Sequence, residues 1–248
     1  MLNFAIERKA SIPEEASSIP VRAGSILIAA ATRWEAAPLV RRLRLKAVSP
    51  NLFKGLVGDD PVVLIQTGVG PTSVSVALGA LNEQRFSLIL STGYAGALQT
   101  DLRAGAVIAD LPEAGDGAAL RSAAASAGLD LRFGRIAHSD RELTHPDEKL
   151  ALGKETGACA VDMETAALRD WARPLKIPVC AVRIISDAVD ERLPGGFPAD
   201  DSLGVQCAYA FRHPFELPVL AVLAFRQWRA MPRYSLFLEK FLSSPGGP

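Results

Sequence analysis

A chain of 248 residues whose 27 basic and 27 acidic side chains cancel offers no charged face to a phosphate backbone, which argues against a nucleic-acid partner. Hydrophobic residues make up 49%, yet no apolar run approaches the ~20 residues of a membrane-crossing helix. Glu7, Arg8, Lys9, Glu14 and Glu15 interrupt the stretch where a secretory leader would lie, so the protein is expected in the cytosol.

The length suits one α/β domain, expected over 25–242, between a flexible tail at 1–24 and a disordered one at 243–248. Ser25 to Ala31 reads as a strand buried on both faces. A helix follows, with Thr32 as its N-cap and Trp34, Ala37, Val40 and Leu43 at helical spacing. The pattern repeats with a strand at Val62 to Gln66, a turn at Thr67 to Gly70, and a helix opened by Pro71. Further strands are expected at Ser87 to Ser91 and Gly105 to Asp110, a loop at Pro112 to Gly117 and a helix at Ala118 to Ala127. After them come a short strand at Cys159 to Val161, a helix at Glu164 to Arg173 and a long β run at Ile177 to Ser186. Three helices should close the chain: Leu203 to Phe211, Leu217 to Ala230 and Tyr234 to Leu242. Such alternation implies a three-layer α/β/α sandwich around a mixed, mostly parallel sheet. Cys159, Cys180 and Cys207 match neither a zinc nor a redox spacing and read as buried free thiols.

Ligands of open α/β sheets bind at the carboxyl ends of the strands, which directs attention to four places. Glu35 lies one turn beyond the first strand, where a surface glutamate favouring the helix start is the plainer explanation. Thr67-Gly68-Val69-Gly70 can present backbone amides at a helix start. Ser73 stands where a dinucleotide fingerprint needs a third glycine, which counts against a nicotinamide-dependent oxidoreductase. Ser91 to Ala97 is a run of small residues that leaves room for a flat group against the backbone, or makes a tight packing corner. Finally, Asp162, Glu164 and Asp187 put acids beside buried apolar segments, where a charge must be matched. Asp162 reads as a helix cap, while Asp187 is better explained by function than by capping.

Ala31 to Ala37, Thr67 to Gly70, Gly93 to Ala97 with Gly105 beyond, and Val161-Asp162-Met163-Glu164 leading to Arg183-Ile184-Ile185-Ser186-Asp187 together resemble the methylthioadenosine/S-adenosylhomocysteine nucleosidases and their phosphorylase relatives. The resemblance covers about Ser25 to Asp190 and implies cleavage of the bond between a purine-type base and ribose. It implies that Asp187 acts as general acid at the base, and that Glu35 orients and deprotonates the attacking water. It further implies Glu164 on the ribose hydroxyls and Met163 on the ribose face. Gly70, Tyr94 and Arg183 are expected around the nucleophile or a phosphate, and Ala95, Gly96 and Ser186 around the base. Phosphorolysis needs an arginine-built cage. Ser91 stands where the phosphorylases carry one such arginine, so water is the favoured nucleophile. Tyr94 and the segment His138 to Leu143 depart from the nucleosidase pattern. That segment, the run from Thr156 to Glu164 and the helix from Phe215 look more like the hopanoid-associated phosphorylases, thought to remove adenine from adenosylhopane, and futalosine hydrolase has a similar opening. An adenine-containing, 5′-substituted nucleoside is therefore the expected substrate, with phosphorolysis or a non-catalytic nucleoside-binding module as alternatives. No metal or cofactor is implied, and a homo-oligomer is expected by analogy.

Overall fold

The computed structural model describes residues 24–81, 85–112, 117–195, 198 and 202–244. Apart from Gly24, Ser243 and Ser244, the two expected tails lie outside these residues, as do positions 113–116 of the expected loop.

Ten strands form the sheet: β1 (Ser25–Ala30), β2 (Lys46–Ser49), β3 (Leu52–Val57), β4 (Asp60–Gln66), β5 (Phe86–Ala97), β6 (Val107–Asp110), β7 (Leu131–Phe133), β8 (Ile136–His138), β9 (Ala160–Asp162) and β10 (Val179–Asp187). The helices are α1 (Arg33–Arg42), α2 (Pro71–Gly79), α3 (Ala118–Ala127), α4 (Pro146–Thr156), α5 (Thr165–Ala172), α6 (Leu203–Arg212) and α7 (Leu217–Leu242). The main path runs β2-β3-β4-β1-β5-β10-β6-β7, with β9 joining β5 to β8. Pairing is parallel across β4-β1-β5-β10 and antiparallel at β2-β3-β4, β10-β6 and β5-β9.

Strand alternation decides which helix packs where. Ile26, Ile28 and Ala30 join α1, α3 and the second half of α7 in one core layer. Leu27 and Ala29, pointing the other way, join α2 and α5 in a second. The expected three-layer architecture with a mixed, mostly parallel sheet is therefore the observed one.

Several local expectations need correction. The hairpin β2-β3 was hidden because Lys46 and Lys54 interrupt its apolar residues on an exposed edge. The small-residue run does not follow a strand but continues it, since β5 stays paired to β10 as far as Gly96. The last two expected helices are one, passing through Pro232. Proline removes only one backbone bond there, and burial of Met231, Tyr234, Phe237 and Leu238 carries the helix across it. Cys207 is exposed, whereas Cys159 and Cys180 are buried. The first half of α7 and the turn before it leave Phe215, Phe225 and Trp228 exposed.

The register of β10 against β5 shifts near its end: Ile185 faces Ala95, Asp187 faces Gly96, and Ser186 is the extra residue of a bulge.

Candidate active site

Of the expected site residues, Glu35, Arg183 and Asp187 stand against β5, while Met163 and Glu164 meet Gly70. Thr32 caps α1 and closes a capping box with Glu35: its side chain accepts from the Glu35 N–H, and the Glu35 carboxylate accepts from the Thr32 N–H at 2.8 Å. The other Glu35 oxygen accepts from the Tyr94 N–H at 2.9 Å, which ties the start of α1 to β5. Glu35 is thus not the surface residue a helix-start glutamate suggests; it is 5% exposed. Burial raises its pKa above the ordinary carboxylate value, against the lowering effect of these donors.

Gly93 makes this approach possible. A Cβ there would fall 2.3 Å from Glu35 Oε1, and its φ of +145° also excludes most side chains. Tyr94 contributes its backbone rather than its ring: the ring packs against the α7 layer, and its hydroxyl donates to the Gln227 carbonyl at 3.4 Å.

Glu164 ends the turn between β9 and α5, and accepts from the Gly70 N–H at 2.9 Å. Met163 Cε approaches Gly70 from the same segment. The glycine turn and the Met-Glu pair, ninety residues apart in the chain, therefore meet as expected. Burial, reinforced by the nearby Asp162 charge, pushes the Glu164 carboxyl up to about 7.

Arg183 is 2% exposed and held by Asp162 at 2.5 Å, Ser91 Oγ at 2.7 Å and Thr165 Oγ1 at 3.0 Å. Burial opposes its charge, but Asp162 and then Glu164 outweigh that and raise its pKa. Its guanidinium is taken up by the protein while still lying within electrostatic reach of Glu35 and Glu164. Asp162 does more than the capping expected of it: it accepts from the Thr165 N–H at 3.2 Å and from the Thr165 hydroxyl, and it neutralises Arg183.

Asp187 stands beside Gly96, where a Cβ would lie 3.3 Å from its Oδ2. The Ser186 hydroxyl lies 2.5 Å from Asp187 Oδ1 and 3.2 Å from the Ala95 carbonyl oxygen and shares its one proton between them, so Ala95, Gly96, Ser186 and Asp187 form one cluster. Gly93, at Glu35, and Gly96, at Asp187, are three residues apart, about 10 Å of strand.

Sequence reading missed Lys149. Its Nζ sits 2.5 Å from Asp187 Oδ2 with the side chain 1% exposed. The run His145-Pro-Asp-Glu-Lys-Leu reads as a solvated surface, and only the fold turns Lys149 inward from α4. Two hollows of about 730 and 400 Å³ open on the surface, and neither is lined by Glu35, Glu164 or Asp187. One is lined by Arg33, Ala36 and Gln66, the other by Pro71, His138 and Trp171. Among the described residues no group of three or more His, Cys, Asp or Glu is arranged to hold a metal, and no helix is long and apolar enough to cross a membrane.

Comparison with solved structures finds the same fold. The methylthioadenosine/S-adenosylhomocysteine nucleosidase of Campylobacter jejuni aligns with 88% of this chain and 99% of its own at 18% identity and a TM-score of 0.62. Futalosine hydrolase of Helicobacter pylori aligns at 18% identity over 88% and 97%, with a TM-score of 0.63. A mutant Helicobacter pylori nucleosidase with 5′-methylthioadenosine in its active site aligns at 19% identity over 88% and 97%, with a TM-score of 0.63. The model of the phosphorylase superfamily matches residues 25–109 and 113–204, a stretch that contains every acid described above. The chain belongs to the phosphorylase superfamily and is an enzyme of the nucleosidase and nucleoside phosphorylase kind.

Proposed function

We propose that the protein cleaves the N-glycosidic bond of an adenine-containing, 5′-substituted nucleoside, with water as the nucleophile. The observation that carries this reading is the pair of buried acids on backbone donors, Glu35 on the Tyr94 N–H and Glu164 on the Gly70 N–H, within electrostatic reach of each other. As the bond breaks, positive charge grows on the sugar, and the Glu164 carboxylate favours it. Glu35, its pKa raised, is suited to accept a proton from water. Asp187, at the far end of the strand segment, is suited to the leaving base.

Water is preferred to phosphate because Arg183 has one terminal nitrogen on Asp162, Ser91 and Thr165 and the other on the Val182 carbonyl, which leaves only Nε without a partner. A dianion held by the two-pronged contact that arginine gives phosphate would have to displace partners of the terminal nitrogens. The exchange of a nucleosidase's small residue for Tyr94 does not block the nucleophile position in this reading, since the ring turns toward α7. A homo-oligomer, expected from the family resemblance, belongs to the proposal and is checked by sedimentation.

The test is release of free base from methylthioadenosine, adenosine and inosine, with and without phosphate. Phosphate-independent release of adenine is the expected result. Release that requires phosphate and yields ribose 1-phosphate would identify a phosphorylase. Tight binding without turnover would leave a nucleoside-binding module.

A further inference from the structure

Lys149 is used by nothing so far described, yet it is one of the most deeply buried side chains in the protein. Its ammonium has three donors and three acceptors: Asp187 Oδ2 at 2.5 Å, the Glu191 carbonyl at 2.8 Å and the Ala188 carbonyl at 3.2 Å. As an ammonium, Lys149 matches its three N–H donors to these three acceptors. In the ion pair, the Lys149 ammonium on Oδ2 and the Ser186 hydroxyl on Oδ1 leave both Asp187 oxygens as acceptors, the arrangement of a carboxylate. A carboxylate cannot give a proton to a departing base. The segment after Asp187 is anchored further by Arg226, which binds the Glu191 carboxylate at 2.7 and 2.9 Å, and Glu191 in turn accepts from the Ala188 N–H. Glu142 lies within electrostatic reach of both Asp187 and Lys149.

We infer that Lys149 is a positioning residue that acts through Asp187: it aims the carboxyl group and supplies the proton that this group passes to the leaving base. This rests on the N-glycosidic reading above. In the step, a proton moves from the Lys149 ammonium to the Asp187 carboxylate, converting a buried ion pair to a neutral amine and a carboxylic acid. The carboxyl group gives a proton to the base as the sugar–base bond breaks and its electron pair leaves with the base. Asp187 is again a carboxylate and Lys149 a neutral amine. The proton that Glu35 takes from the attacking water restores the ammonium through solvent, so the cycle closes without another reactant.

The experiment compares the wild type with Lys149→Met on the purine nucleoside the wild type cleaves and on 4-nitrophenyl riboside, whose leaving group departs without a proton. With Lys149 gone, Asp187 must bring its own proton. The expected result is a kcat for the purine nucleoside that falls at least tenfold from pH 5.5 to pH 8 in the variant but not in the wild type, with little change in KM. The nitrophenyl substrate should lose far less, at both pH values. Parallel loss on both substrates, or pH profiles of the same shape, would overturn the inference and leave Lys149 as packing. Should the single variant not fold, Lys149→Met combined with Asp187→Asn removes both charges. That double variant is expected to match Asp187→Asn alone, and a further loss on the purine nucleoside would count against action through Asp187. A wild type that releases no base overturns the N-glycosidic reading itself and this inference with it; an active wild type with unaltered variant profiles overturns only the inference.

Discussion

Glu164 titrates at about 7, so near neutrality it is divided between its two forms. Only the carboxylate attracts a cationic sugar or a ligand that imitates one. Affinity for a hydroxypyrrolidine cation should therefore rise about tenfold between about pH 6 and pH 8 and then level off, because the ionised fraction passes from about one in eleven to about ten in eleven. Isothermal titration calorimetry across that range checks it, and Glu164→Gln should remove the slope. Gly93→Ala makes a second prediction at this scale. The added methyl group meets Glu35 Oε1 and forces an L side chain to φ +145°, so a loss of about 1–3 kcal/mol in stability is expected together with loss of turnover. Denaturant unfolding reads the first and base release the second.

At the scale of elements, the cap of α1 and the catalytic geometry are one structure. Thr32→Ala should cost about 1 kcal/mol of stability and lower turnover as well, since Thr32 holds one oxygen of Glu35. Thr32→Ser, which keeps the acceptor, should restore both, as melting curves and assays would show. Arg183→Met leaves Asp162 charged and buried without its partner, and should destabilise by about 3–5 kcal/mol. Much at this scale was legible in the sequence. Thr32 was recognisable as a cap, the glycine turn as a helix start, and Asp162 as an acid at a helix entrance, because each is a local pattern. Lys149 was not legible: nothing in Asp147-Glu148-Lys149 distinguishes an inward lysine from its solvated neighbours, and its partner lies 38 residues on. The hairpin β2-β3 escaped for a related reason, an edge strand being half exposed and so lacking a continuous apolar signature.

For the molecule as a whole, pH should act on stability in a predictable direction. Glu35 and Glu164 both have pKa values raised by burial, so the folded state binds more protons than the unfolded one above the ordinary carboxylate value, for Glu164 as far as about 7. Their stabilising contribution is complete below about pH 4.5 and is lost as pH rises through the folded-state values, about 7 for Glu164. Asp101 and Glu148, lowered by Arg132 and Arg141, act in the opposite sense, but only at more acid pH. The expected outcome is an unfolding midpoint that declines from about pH 5 to pH 7.5 in denaturant titrations, and declines less in Glu164→Gln. The layered fold was readable from alternating strand and helix signals. The meeting of the acids with β5 and the glycine turn was readable only through the order of the motifs, since no periodicity relates Glu35 to Tyr94 or Glu164 to Gly70.

The bulge at Ser186 has a consequence for how this chain can vary. Arg183 and Asp187 have the same parity along β10, yet Arg183 turns toward α5 while Asp187 shares a face with Gly96; the extra residue between them reverses the alternation. Loss of a single codon at Ser186 would thus leave every acid in the gene and still swing Asp187 to the wrong side of the sheet. Insertions and deletions here are far more hazardous than substitutions, and a homologue that lacks the additional position cannot be assumed to keep the chemistry, however well its letters align.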